Sequence, residues 1–183
     1  IVGSSIGGIA TVSHAVRRYD AKGQRGLTPF TIPAFLINLI PGQISIRYGF
    51  KGPTGSPATA CTASAQAIGD GMRLLLNGEA DVAVCGGAES CITPMILGSF
   101  VSARAVTVNY NELPSQASRP FSQDRDGFVL GEGAGILVLE TLEHALGRGA
   151  IPLAEIVGYG TSSEAYHAAA CCNDGIGLQR AMK

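Results

Sequence analysis

Three stretches of the 183-residue chain place reactive side chains where chemistry could occur. The first is Ala60-Cys61-Thr62-Ala63-Ser64-Ala65, which follows an extended, proline- and glycine-punctuated entry (52–60) and opens a helical pattern. A cysteine at a helix N-terminus faces unpaired backbone N–H groups and the positive end of the helix dipole, and both favour the thiolate. Neighbours with small side chains leave its sulfur approachable. The competing reading of Cys61 is a structural thiol, the usual role of a single buried cysteine. The second stretch, Gly3-Ser4-Ser5-Ile6-Gly7, fits the G-x-S-x-G pattern of a hydrolase nucleophile elbow, with a strand end before it and a helix after it. Only His14, His144 and His167 could act as its base, and none has an evident carboxylate partner. The third, Gly131-Glu132-Gly133-Ala134-Gly135, resembles a dinucleotide loop but continues into Ile136 and a strand, so no helix N-terminus awaits a pyrophosphate. Close packing accounts for it better.

The remaining cysteines, Cys85, Cys91, Cys171 and Cys172, lack the placement of Cys61 and read as packing residues. Five cysteines without a C-x-x-C pair suit reduced, cytoplasmic thiols better than a disulfide frame or a zinc site. Arg17, Arg18, Lys22 and Arg25 gather at one helix end. A solvated face is the default for them, an acidic partner protein the alternative.

These groups need elements to hold them. Ile9, Val12, Val16 and Tyr19 recur at helical spacing, and Asp20–Gly26 ends that helix. Pro33 opens a second pattern through Leu36, Ile37, Ile40 and Ile44, interrupted at Pro41. Cys61–Asn77 predicts a helix crowded with small residues. Glycine within a helix costs about 1 kcal/mol relative to alanine, so Gly69 and Gly71 imply close approach and a central position. Asp81–Ala88 and Gly133–Glu140 predict buried strands, Leu153–Tyr159 a further strand, and Pro94–Ala103, Thr141–Arg148 and Gly175–Lys183 helices. Asn109–Asp126 reads as a long loop. Apolar strands alternating with helices predict a mostly parallel sheet covered on both faces.

Composition narrows the class further. The chain carries 25 glycines, roughly double ordinary usage, and only 15% charged residues. Disorder demands the reverse balance, and no strict glycine period supports collagen. The most apolar runs, Ile32–Ile46 and Ile136–Leu139, are interrupted or too short to span a membrane. A net charge of −1 gives no basic face for nucleic acid. Ile1-Val2-Gly3 reads as the end of a strand already under way, and Lys183 falls within a helix, so the chain reads as part of a longer one.

In order along the sequence, Gly3–Gly8, Pro57–Ala65, Cys85-Gly86-Gly87-Ala88-Glu89, Phe100–Ala105, Arg119–Phe128, Gly131–Gly135 and Ala165-Tyr166-His167 resemble the motifs of the β-ketoacyl-[acyl-carrier-protein] synthases. These are the elongating condensing enzymes of thiolase fold, and the resemblance covers essentially the whole chain. It implies an α/β, layered αβαβα sandwich, of which residues 1–183 form an incomplete central part: most of the nucleophile-bearing half and the start of the second half. It further implies that Cys61 accepts an acyl group and is then attacked by a decarboxylated malonyl unit on the carrier. The Cys61 N–H would supply part of the oxyanion hole, Ile6 and Phe100 would line the acyl pocket, and Arg25 and Arg104 would meet an acidic acyl carrier protein. The phosphopantetheine belongs to that carrier, so no cofactor or metal of the enzyme's own is expected. A homodimer, with residues 26–50 at the interface, and a cytoplasmic setting are also implied, an organelle form remaining open.

The family completes its site with two histidines, in His-Gly-Thr and Gly-His segments, and neither segment occurs here. Residues 1–183 alone are therefore expected to be inactive in condensation. Ala168–Cys172 also departs from the threonine, serine and prolines usual at that place. Polyketide ketosynthases, and thiolases that use coenzyme A, are the alternative readings. The cysteine context differs from that of thiolases, and Cys61 itself argues against the non-catalytic chain-length partners, which lack the nucleophile.

Overall fold

The computed structural model describes residues 1–183. Its framework is a three-stranded sheet in the order β1 (Val2–Gly3), β2 (Val82–Glu89), β3 (Gly133–Glu140). β1 runs parallel to β2, pairing Val2 with Gly86 and Gly3 with Gly87. β3 runs antiparallel to β2 through eight residue pairs, from Val82 opposite Glu140 to Glu89 opposite Gly133. The expected mostly parallel sheet is thus corrected. Apolar runs such as Asp81–Ala88 and Gly133–Glu140 reveal strands but carry no sign of their relative direction.

Helix α1 (Ile9–Lys22) leaves the Ser4–Gly7 turn, and α2 (Leu39–Tyr48) ends on Gly49 in the left-handed region (φ 69°). The stretch before α2, expected to be helical from Pro33, forms turns instead. The backbone then returns beside β1: Val2 N–H bonds Gly55 O at 3.1 Å, and Ser4 N–H bonds Pro57 O at 3.3 Å. That extended return delivers the chain to α3 (Ala63–Leu76).

Helix α3 lies across the sheet with Ala63, Ala67, Gly69 and Gly71 buried. Its two glycines are explained by what a side chain would meet there. A Cβ on Gly71 would strike Cys85 Sγ, and one on Gly69 would enter the Tyr159 ring. The expectation of a central, closely packed helix holds.

Helix α4 (Pro94–Ser102) starts on a Thr93 cap whose hydroxyl accepts from Ile96 N–H at 3.2 Å. Such a cap contributes about 1 kcal/mol. Thr141 caps α5 (Leu142–Gly147) in the same way, and α6 (Ile176–Ala181) closes the chain.

β3 is not buried as expected. Ile136, Leu137 and Val138 are 43%, 50% and 61% exposed. Nor do residues 153–159 form a strand: most are exposed, Leu153 wholly so, while the Tyr159 ring packs against Gly69 of α3. No helix is long and apolar enough to cross a membrane.

A cysteine cleft at the front of the central helix

Residues 60–62 form a single 3-10 turn ahead of α3, so Cys61 stands one turn before the helix proper. Ala60 takes φ 50°, the left-handed region that non-glycine residues avoid. Strain of this kind costs on the order of 1–3 kcal/mol and persists only where surrounding structure enforces it. On either side of Ala60 the chain is held by the 54–57 return, bonded to β1, and by Ala63, buried at the start of α3. The turn's own bonds use Thr62 N–H to Thr59 O (3.1 Å) and Ala63 N–H to Ala60 O. The Cys61 N–H is not among the donors they consume.

Cys61 is exposed, while Cys85 and Cys91 are buried; all five cysteines are free thiols. Burial pushes the thiols of Cys85 and Cys91 upward, and for Cys91 the nearby Glu89 and Glu132 carboxylates add to the rise. Those two thiols pack inside the fold as expected, whereas Cys171, expected to do the same, is exposed and Cys172 is only half-buried.

The Cys61 sulfur opens into a cleft of about 390 Å³, walled by Ser4 and Ser5 of the β1–α1 turn, Glu89 at the end of β2, and Gly133–Gly135 of β3. Gly133 and Gly135 have nothing within 4 Å of where a Cβ would stand. Close packing, expected for Gly131–Gly135, is therefore not their role around β3; they leave a bare wall beside the sulfur. The two ends of this cleft come from residues about 60 to 75 positions either side of Cys61 in the chain, and the sheet register brings them together.

Glu89 is the residue the sequence reading left without a role. Its carboxylate accepts from Ser4 Oγ (3.0 Å), Ser5 N–H (2.7 Å), the Ser5 hydroxyl and Ile6 N–H (3.2 Å). Partial burial pushes this carboxyl upward, but the Ser5, Ser4 and Ile6 donors outweigh that and hold it below its ordinary value. Ser4 Oγ in turn accepts from Gly7 N–H at 3.1 Å. These bonds also overturn the hydrolase reading of Gly3–Gly7. Both serine hydroxyls are committed to a carboxylate rather than to an imidazole, and no histidine lines the cleft.

The other singled-out residues are dispersed. Ile6 bonds Glu89 through its backbone N–H but is not among the residues that line the cleft. Phe100 lies on α4 outside the cleft lining, half-buried and edge-on to Phe128 at 5.2 Å between ring centroids. Arg104 follows α4 at φ 54°, and Arg25 sits in the 3-10 turn Gly23–Gly26; both are exposed. His144 pairs with Glu140 at 2.8 Å, remote from the cysteine cleft.

Residues 1–145 match the family described as "Beta-ketoacyl synthase, N-terminal domain". Over all 183 residues the chain is 49% identical to 3-oxoacyl-[acyl-carrier-protein] synthase 2 of Rhizobium meliloti (strain 1021), covering 44% of that relative. It is 45% identical to the mitochondrial 3-oxoacyl-[acyl-carrier-protein] synthase of Arabidopsis thaliana, across 99% of the chain and 39% of the relative. A solved type II PKS acyl-carrier protein in complex with its ketosynthase, bound to the hexaketide, superposes with a TM-score of 0.93 at 30% identity, over 99% of the chain and 46% of its own. The chain thus spans less than half the length of these relatives, and its α/β fold is a piece of the thiolase-like ketosynthase architecture.

Proposed function

Because the chain belongs to the β-ketoacyl synthase family, we propose that the protein containing it is a 3-oxoacyl-[acyl-carrier-protein] synthase of fatty-acid elongation that works through Cys61. The carrying observation is an exposed cysteine on a strained turn, at the front of the central helix, opening into a cleft.

In this reading the Cys61 thiolate attacks the acyl thioester carbonyl delivered on the carrier's phosphopantetheine. The Cys61 N–H donates to the developing oxyanion, where a preorganised donor has most effect. The carrier thiolate departs and takes up a proton, leaving the acyl group on Sγ. A malonyl thioester then loses carbon dioxide, and its carbanion attacks that acyl carbonyl. The Cys61 thiolate is released, and the product is a 3-oxoacyl chain two carbons longer on the carrier. Charge on the decarboxylating thioester calls for imidazole donors, which in this family come from histidine segments absent from residues 1–183. Those residues by themselves would not condense.

Ile6 and Phe100 are assigned to the acyl pocket, and exposed Arg25 and Arg104 to an acidic carrier. The solved ketosynthase–carrier complex supports a carrier partner. Residues 146–183 would begin the second half of the synthase domain. A homodimer joined through residues 26–50 is supported by the exposure of Phe30 (76%) and Ile46 (78%), and a cytoplasmic setting by the reduced thiols. Relatives named 3-oxoacyl-[acyl-carrier-protein] synthase 2 are 44–49% identical, against 30% for the type II PKS ketosynthase, which supports the elongation reading over the polyketide one.

The test is condensation by the full-length protein against its Cys61→Ala variant, with acyl- and malonyl-carrier substrates. Loss of at least about a thousandfold is expected, as for removal of other covalent nucleophiles. Retained condensation would overturn the assignment.

A further inference from the structure

The Glu89 carboxylate is the one charged group that lines the Cys61 cleft without a part in the acyl-transfer steps. Its bonds all go to a single short turn. One oxygen takes Ser4 Oγ; the other takes Ser5 N–H, the Ser5 hydroxyl and Ile6 N–H. Through Ser4 Oγ the clamp extends to Gly7 N–H. Three consecutive residues are therefore tied to the end of β2 by one side chain, 83 to 85 positions away in sequence. The Gly133–Gly135 wall of the cleft offers no side chain beyond a methyl.

An ionised carboxylate is acceptor-only, and four donors of the turn, the Ser4 and Ser5 hydroxyls and the Ser5 and Ile6 N–H groups, point at it. Hydrogen bonds to charged groups are about twice as strong as neutral ones, and removing the acceptor leaves several donors unpaired at once. The first consequence is movement of the Ser4–Ile6 backbone. Because Ser4 and Ser5 line the cleft on that backbone, the shape of the space next to Cys61 moves with it.

We propose that Glu89 is a positioning residue that fixes the Ser4–Ser5 wall of the Cys61 cleft and thereby sets which acyl chains the cysteine accepts. This rests on the reading of Cys61 as the acyl-accepting nucleophile. Glu89 touches no reacting atom; it acts through the two serines. A group that only supported the fold would lower transfer of every acyl chain alike. A wall-setting group changes the ratio between short and long chains.

The experiment uses the full-length protein and its Glu89→Ala and Glu89→Gln variants. Acyl mass on Cys61 is followed by rapid-quench mass spectrometry with carrier-bound four-carbon and twelve-carbon acyl groups. Glu89→Ala is expected to shift the twelve-carbon to four-carbon rate ratio by about tenfold, the effect of losing one charge-assisted bond's worth of positioning. Glu89→Gln should restore the ratio to within about threefold of the parent, since its amide oxygen still accepts from Ser5 and Ile6 N–H. Should Glu89→Ala fail to fold, Ser5→Ala, which removes one hydroxyl donor and leaves the backbone bonds, is expected to shift the ratio by about threefold in the same direction. An unchanged ratio in the soluble variants, or an equal fall for both chain lengths, overturns the proposal while leaving Cys61 acylation intact. Absence of acyl mass on Cys61 in the parent protein overturns the nucleophile reading as well.

Discussion

The face of β2 under α3 and its edge toward β3 have opposite surroundings. On the α3 side, the helix lies so close that Gly71 has no room for a methyl beside Cys85, whose own exposure is 0%. Toward β3, the strand is fully paired yet Ile136–Val138 remain about half exposed. Packing at the first is set by residues within the chain, whereas the second presents apolar surface that nothing within residues 1–183 covers. Cys61 and the left-handed Ala60 sit at the exposed mouth of the first region, with Ala63 the first buried residue behind them.

The sharpest way to break this contrast is to isolate the segment. Only 19 of the 183 residues are buried, so residues 1–183 expressed alone are expected to bind a hydrophobic-surface dye strongly and to melt without a cooperative transition. A sharp two-state melt of the monomer would contradict the contrast outright. Within the full-length protein, Gly71→Ala should destabilise by about 1–3 kcal/mol, as overpacking does, because the buried Cys85 sulfur has nowhere to go. Gly69→Ala should cost less, since the obstacle is the outer end of the Tyr159 ring, which can swing aside. In α4, where nothing lies within 4 Å of a Cβ on Gly98, Gly98→Ala should instead gain up to about 1 kcal/mol from helix propensity. Chemical denaturation of the three variants orders these effects; equal costs at Gly71 and Gly98 would erase the distinction.

Acid supplies a gentler probe. The folded Glu89 carboxyl lies below its ordinary value of 4.5, so the unfolded chain takes up its proton first as pH falls. The Glu89 clamp therefore contributes fully above about pH 4.5 and is lost as pH falls through the lower folded value. The stability difference between the parent protein and Glu89→Gln should shrink across that window, measured by denaturant midpoints at stepped pH. A difference that grows on acidification would reverse the sign assigned to Glu89.

The sequence showed the covered region better than the open one. Two glycines and a run of alanines inside one helical pattern are costly unless something presses close, and in the structure Cys85 and Tyr159 do so. Cys61 was legible because an extended entry meets a helix there, although the intervening 3-10 turn and the left-handed Ala60 were not. β3 was misjudged because Gly-Ile-Leu-Val-Leu is equally apolar whether covered or bare. Strand direction was lost for the same reason, and Leu153–Tyr159 had apolar residues without a neighbouring strand to accept them. Glu89 escaped notice because its partners lie more than 80 residues away. The available signal was a carboxylate closing a buried apolar strand, a charge that burial tolerates only with donors waiting.

The most direct measurement is intact-protein and peptide mass spectrometry of the full-length protein after brief exposure to an acyl-carrier thioester. A single added acyl mass is expected, mapped to the peptide containing Cys61 and absent from Cys61→Ala. Acyl mass on Cys171, Cys172 or a serine of the Gly3–Gly7 turn, or acylation that survives Cys61→Ala, would contradict the assignment of the cleft.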